Sequence, residues 1–313
     1  MSRLVGFCLR DLISSRTHNL SRGHCVSVTV VLPVFNAAKT LRQSVESILH
    51  QTHQEFELIV VDDCSTDGSL KLIKELQSND SRIRVISNNS NIGVVQTLNR
   101  AIAEARYDLI ARMDADDESH PERIRLQYEM ILSSPRIALV GSSYKFMGRT
   151  PRRDIQVLLP SSPSEIRARI LLENPICHPS VMFKREVFDE FGGYREFFKN
   201  AEDYDLWLRF SSRYDLVNIA EPLVRYRLSV GGVTLMRRWE MYVFHHLAIE
   251  SFKRPDIELS ALKQEVESTL EREANKEILL QSLYSSLMRD LWRLGHKYDA
   301  IRVWWRMKTA SHY

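Results

Sequence analysis

Cysteine is scarce in this chain, and its placement excludes more than its scarcity does. Among 313 residues the cysteines are Cys8, Cys25, Cys64 and Cys177, with neither a Cys-x-x-Cys pair nor the histidine spacing of a zinc site. Reduced, structural thiols are therefore expected. Long apolar runs are also missing. The amino-terminal patch Leu4-Val5-Gly6-Phe7-Cys8-Leu9 is broken by Arg10 and Asp11, too short for a secretory core, and no later run approaches a bilayer span. The expected working place is the cytoplasm. A strong charge bias is the third absence. A net charge of +3 and a pI of about 8.6 are too mild to argue for nucleic acid, although Arg and Lys crowd the first residues and the last helices and leave anionic partners open there. What is present, 44% hydrophobic and 27% charged residues in 36.5 kDa, suits a globular protein with one large core or two smaller ones.

From Val26 apolar strands alternate with amphipathic helices, the pattern of βα units laid into a largely parallel sheet. The first strand is expected over Val26–Leu32, stopped at Pro33, followed by a helix with Leu41, Val45, Ile48 and Leu49 at helical spacing. Phe56–Val61 is nearly continuous in apolar character, as a strand covered on both faces should be, and it ends at Asp62-Asp63. A helix through Leu70, Ile73 and Leu76, a strand at Ile83–Ile86, a helix with Val94, Leu98 and Ile102, and a strand feeding Asp114 complete the half. In such sheets ligands bind beyond the carboxyl ends of the strands, and the polar clusters Pro33–Asn36, Asp62–Asp67, Asn88–Gly93 and Asp114–Asp117 all fall there.

A helix with Ile124, Tyr128 and Ile131 and a short strand at Ile137–Val140 precede a surface loop from Gly148 to Pro163. A helix near Ser164–Leu172, an extended segment His178–Phe183, a glycine turn at Gly192-Gly193 and a helix opening at Glu202-Asp203 follow. Beyond about Leu235 the chain turns mostly helical. Leu294–Ile301 is like one tetratricopeptide turn, but no second copy accompanies it, so a repeat array is not expected. The expected division is an extension at 1–25, an α/β domain at 26–234 with a nucleotide-side half 26–141 and a second half 142–234, and a helical region at 235–313.

The junction Tyr107–Asp117 runs an apolar strand into a cluster of carboxylates. In an extended backbone alternate side chains point the same way, so Asp114 and Asp116 can converge on one divalent ion while Ala115 leaves room for a bulky ligand. Val60–Ser69 joins a strand to a helix through Asp62-Asp63, where a carboxylate can accept from a pyrimidine imide N–H or a ribose hydroxyl; Asp67 or Ser65 serves equally as a helix cap. Glu202-Asp203 opens a helix, where an acid is favoured by the dipole alone, but a carboxylate there can also act as a general base. Trp207 is either core or the wall of a sugar site. His178 is a second-tier site residue, and His245-His246 carries no assigned chemistry.

Taken as an ordered set, Val31–Asn36, Val61–Asp67, Asn91–Gly93, Arg112–Asp117, His178–Ser180 and Glu202–Trp207 resemble the family 2 glycosyltransferases over roughly Val26 to Thr234. The resemblance implies a GT-A fold, a Rossmann-like three-layer α/β sandwich with a mostly parallel mixed sheet. It also implies a nucleotide-sugar donor, Mn²⁺ or Mg²⁺, and inversion at the anomeric centre. On this chain it implies donor contacts at Pro33, Phe35, Asn36, Asp62, Asp63, Gly93, Arg112, Asp114, Ala115 and Asp116, metal contacts at Asp116 and Asp114, and Asp203 as base beside Glu202 and Trp207 on the acceptor side. The family often writes a histidine shortly after a Tyr-Arg strand end, whereas Tyr226-Arg227 is followed by Leu228-Ser229; this strengthens His178 as the third metal ligand. The expected partners are the donor, here a UDP-sugar, and a saccharide or lipid-linked acceptor, with a homo-oligomer left open.

Two other readings stand beside this one. A sugar-nucleotide nucleotidyltransferase would carry a Gly-rich, basic loop after its first strand, which Pro33-Val34-Phe35-Asn36-Ala37-Ala38 is not. A silent binding subunit would have no need of intact Asp114, Asp116 and Asp203. In the tail, Trp292, Arg293, Arg302 and Trp304–Lys308 either dock on an anionic membrane surface, bringing the protein to its inner face, or cover the sheet.

Overall fold

The computed structural model describes residues 27–228, 238–273, 288–289, 291–296 and 300–301. The chain opens with β1 (Val28–Val34), α1 (Leu41–Leu49), β2 (Phe56–Asp62), α2 (Ser69–Asn79), β3 (Ile83–Ser87), α3 (Gly93–Ala103) and β4 (Leu109–Arg112). These are the expected βα units, with boundaries moved by a residue or two. Strand β1 pairs in parallel with both β2 and β4, and β2 with β3. It passes through Pro33 rather than stopping there. Pairing with β4 ends at Val31, and the Met113 N–H donates to the Val31 carbonyl, so the backbone edge of residue 33 on that side has no strand opposite it. A missing N–H costs no ladder bond at such a position. On α3 the inward residue is Val95, whereas Val94 is 42% exposed.

Next come β5 (Glu118–Ser119), α4 (Arg123–Leu132), β6 (Ile137–Phe146), β7 (Ile155–Val157), α5 (Pro163–Arg169), β8 (Met182–Lys184), α6 (Arg185–Glu190), α7 (Glu202–Ser211) and β9 (Asp215–Tyr226). The expected short strand at Ile137–Val140 is the front of the longer β6. It continues to Phe146 because the parallel partner β9 and the antiparallel β7 hold it there. The stretch read as surface loop therefore contains a 3₁₀ turn at Pro151–Arg153 and β7. Helix α5 starts with a capping box: the Glu165 N–H donates to the Ser162 hydroxyl, and the Ser162 N–H to the Glu165 carboxylate. The segment read as extended from His178 begins as a 3₁₀ turn, His178–Ser180, and straightens only at Val181.

One nine-stranded sheet results, ordered β3-β2-β1-β4-β8-β6-β9-β5, with β7 paired to β6. The chain winds outward from β1 to β3, then returns to lay β4 on the other side of β1. The crevice between the carboxyl ends of β1 and β4 is thus a topological switch point. Two apolar layers fill the faces: Val28, Leu32, Leu41, Ile48, Leu58 and Ile73 on one, Val31, Ile59, Leu98, Phe183, Trp207 and Phe210 on the other. Helices α8 (Arg238–Lys253) and α9 (Leu259–Glu273) insert Val243, Phe244, Leu247, Leu262 and Val266 into the second layer, so this part of the tail covers the domain. Arg302 and Trp304–Lys308 lie outside the described residues, as do Cys8 and Cys25. Among the described residues no helix is long and apolar enough to cross a membrane.

Candidate active site

At the end of β4 the chain makes a turn in which the Asp117 N–H approaches the Asp114 carbonyl at 3.4 Å. This turn brings Asp114, Asp116 and Asp117 together, with ligand oxygens within 4.8 Å of one another. The expected strand alternation is therefore corrected: the carboxylates converge because the backbone curls. Ala115 does not leave room for a ligand but is 8% exposed in the core, and its carbonyl accepts from the Thr40 hydroxyl at 3.0 Å. The Ser44 hydroxyl donates to the Asp114 carbonyl at 2.7 Å, so the start of α1 anchors the acidic turn by its backbone rather than by its carboxylates.

Arg112, buried at the last position of β4, grips Asp114 with both guanidinium nitrogens, at 2.7 and 2.6 Å. Burial is the strongest influence and works against its charge, but Asp114 together with Tyr194 and Asp117 outweighs it and raises the guanidinium pKa. Asp116 is pushed up to about 6 by burial and by the Asp114 charge beside it. Asp117 is raised well above the usual carboxylate range by burial, Asp114 and Asp116. The Asp117 Oδ1 accepts the Arg227 N–H at 2.8 Å, the Arg227 Nε–H donates to the Asp116 carbonyl at 2.9 Å, and the Asp117 Oδ2 is sealed from water with no partner among the described residues. Like charges crowded with a buried, unpartnered oxygen fit a divalent cation, the group that would satisfy that oxygen and lower all these pKa values. Asp117 and Arg227 were missed as site residues in the sequence. Strand alternation points to Asp114 and Asp116 and away from Asp117, and no local pattern marks Arg227, whose partner Asp117 lies 110 residues earlier.

Across β1, the acids at the end of β2 are employed differently. Asp63 accepts from Asn88 Nδ2 (2.8 Å), the Ile92 N–H (2.9 Å) and the Gly93 N–H (2.9 Å), so it caps α3 from a distance. Both its oxygens are occupied, and it is 4% exposed. Gly93, at φ +85, likewise gives its N–H to this carboxylate. Asp62 keeps one oxygen for the Ser65 N–H at 3.2 Å and has the other buried and unpartnered. Exposed Asn36 accepts from the Thr66 N–H at 2.8 Å, lacing the two loops together, while the adjacent Phe35 stands 52% exposed and Pro33 is half-buried at the crevice. Of the expected nucleoside contacts, Phe35, Asn36 and Asp62 thus offer groups to a ligand, whereas Asp63 and Gly93 shape the loop.

The opposite wall comes from the first turn of α7. Asp203 accepts from Asn174 Nδ2 at 3.0 Å and from the Tyr204 N–H at 2.7 Å, and burial raises its pKa against those bonds. Glu202 is pushed up to about 7 by burial and by Asp203, with Oε2 buried and unpartnered. His178 is outside the cation-holding group: its Nε2 pairs with the Tyr194 hydroxyl at 2.9 Å and its Nδ1 lies 4.0 Å from Asp203 Oδ2. Burial and the Arg112 charge hold it well below its usual pKa, hence neutral. The expected metal contact at His178 is thus not among the groups that the acidic turn gathers. Trp207 is 0% exposed and meets the His178 ring edge-on at 5.9 Å, so it supports the wall from within the core rather than facing a sugar.

The glycosyl transferase family 2 model matches residues 29–192, from β1 through the His178 turn and β8. The chain belongs to this family. The O-antigen biosynthesis glycosyltransferase WbnJ of Escherichia coli is 32% identical over 210 residues, covering 64% of this chain and 79% of WbnJ. Among solved structures, Staphylococcus aureus TarS 1–349 in complex with UDP-GlcNAc matches with a TM-score of 0.61 at 16% identity, over 86% of this chain and 82% of that one. The mannosyltransferase PcManGT of Pyrobaculum calidifontis in complex with GDP-Man and Mn²⁺ matches with a TM-score of 0.56 at 15% identity, over 90% and 86%. These likenesses show the GT-A fold. In a family 2 glycosyltransferase the switch-point crevice carrying Asp114–Asp117 is the candidate active site.

Proposed function

We propose that this family 2 enzyme transfers a sugar from a nucleotide-sugar, by preference a UDP-sugar, to a hydroxyl of a saccharide or lipid-linked acceptor in polysaccharide or glycolipid biosynthesis, with inversion. The polysaccharide setting follows WbnJ, and the UDP preference follows the UDP-GlcNAc held by TarS. The observation carrying the mechanism is the place of Arg112: it is bonded to Asp114 on one side, while its charge acts on Glu202, Asp203 and His178 on the other. Acidic turn and candidate base therefore share one electrostatic neighbourhood.

Asp114, Asp116 and Asp117 would hold Mn²⁺ or Mg²⁺, a reading supported by the Mn²⁺ in the PcManGT complex. When bound, the cation supplies several kcal/mol of stabilisation to charge growing on a departing diphosphate. Phe35 offers an aromatic face to a base, and Asp62 offers a buried acceptor to a nucleoside N–H or hydroxyl. Asp203 takes the proton of the attacking hydroxyl; burial raises its pKa above the usual carboxylate range and so makes it a stronger base. Glu202, whose pKa burial and Asp203 push up to about 7, limits the negative charge beside it.

Thermal shift with UDP-, GDP- and dTDP-sugars, each with Mn²⁺, tests the donor: the greatest stabilisation is expected from a UDP-sugar. Asp203→Asn should leave that shift intact while lowering turnover by about 10²- to 10⁴-fold. Near wild-type turnover in this variant overturns the assignment of the base.

A further inference from the structure

We propose that Asn174, with the His178 ring backed by Tyr194, is the device that aims the Asp203 carboxylate, making Asn174 and His178 positioning residues for transfer. The inference rests on Asp203 being the base. Among the described residues Asn174 is the side chain that donates to this carboxylate, at 3.0 Å to Oδ2, and His178 Nδ1 faces the same oxygen at 4.0 Å. The Asn174 amide has its orientation set from both ends, because its Oδ1 accepts the Ile176 N–H at 3.2 Å while its Nδ2 gives to Asp203. The loop carrying it is fastened to β9, where Asn218 Nδ2 donates to the Pro160 and Pro175 carbonyls at 2.8 and 3.0 Å.

His178 is held just as firmly. Its Nε2 and the Tyr194 hydroxyl share a hydrogen bond of 2.9 Å. With the phenol as donor of that bond, the imidazole hydrogen sits on Nδ1, the nitrogen that faces Asp203. Tyr194 is in turn pinned to α3 by Asn99, whose amide donates to the Tyr194 carbonyl at 2.9 Å and accepts the Tyr194 N–H at 3.1 Å. The wall of the donor crevice and the orientation of the base are thereby one connected structure. Among the described residues, the charged and titratable groups facing Asp203 are Glu202 and Tyr204 on its own helix, Arg112 at the end of β4, His178 in the 3₁₀ turn and Tyr194 in the segment before α7.

The test is the pH profile of kcat for hydrolysis of the stabilising UDP-sugar with Mn²⁺, water standing in for the acceptor hydroxyl. Asn174→Ala removes a donor that favours the carboxylate, so the acidic limb should move up by about one pH unit. At neutral pH kcat should fall about tenfold to a hundredfold, with partial recovery at alkaline pH and a donor KM within about twofold of wild type. Asn174→Asp preserves shape and the acceptor for Ile176 while setting a charge against Asp203, and should move the limb further in the same direction. It decides the matter if the alanine variant fails to fold. An unmoved limb in the folded variants, with Asp203→Asn inactive, overturns the positioning role alone; an active Asp203→Asn overturns the reading of the base.

Discussion

Asp63 and Asp117 are almost equally hidden, at 4% and 1% exposure, beyond the ends of the strands that flank β1, yet they are employed in opposite ways. Asp63 meets amide donors, with backbone N–H groups of the α3 start on both of its oxygens. Asp117 faces other acids and keeps an oxygen without a partner. A satisfied buried carboxylate builds a scaffold, whereas an unsatisfied one stores a demand for charge. Burial alone therefore separates nothing; the partners do.

The largest expected effect falls on the unsatisfied side. Asp116→Asn should lower transfer by about a thousandfold or more, and chelation of divalent metal should do the same to the wild type, reversed by added Mn²⁺. Steady-state assays at saturating donor measure both. A metal-independent wild type breaks the contrast at its strongest point. Asp63→Asn belongs to the other side. An amide nitrogen facing the donors of Ile92, Gly93 and Asn88 leaves buried N–H groups unpaired, at about 2–3 kcal/mol. That predicts a fall in melting temperature of about 4–10 °C, with turnover of the folded fraction largely retained. If Asp63→Asn instead melts like wild type and loses turnover, Asp63 touches the donor and the assignment reverses.

Much of this was legible beforehand, for physical reasons. Apolar runs at the period of buried strands announced β1 to β4, and acids directly after such runs announced the crevice. Which acid does what was not legible, because it depends on partners from distant segments: Asp63 on Asn88 to Gly93, Asp117 on Arg227, Asp203 on Asn174. Trp207 and Val94 show the same limit. Helical spacing says that a residue shares a face, and packing decides whether that face is core or surface.

A smaller effect is expected from Phe35, whose exposed ring tests whether the β1 end contacts the base. Phe35→Ala should raise donor KM about tenfold, within the ~1–3 kcal/mol range of stacking, with no change in melting temperature since the ring packs on little. An unchanged KM assigns base recognition to Asn36 and Asp62 alone.

The finest test is the pH dependence set by Glu202. Its carboxyl is pushed up to about 7 by burial and by Asp203, above the ordinary 4.5, so between those values the native state holds a proton that the unfolded chain has released. The associated stability is fully present below about 4.5 and is lost as the pH rises through about 7. Glu202→Gln removes that slope: wild type and variant should melt together below about pH 4.5, with the variant ahead by about 3 kcal/mol near pH 8. Because the neutral amide also takes a negative charge away from Asp203, the acidic limb of kcat should move down, opposite to the shift expected for Asn174→Ala. A variant less stable than wild type at pH 8 would mean that the unpartnered Glu202 oxygen is satisfied in solution, and would put this acid with Asp63 rather than with Asp117.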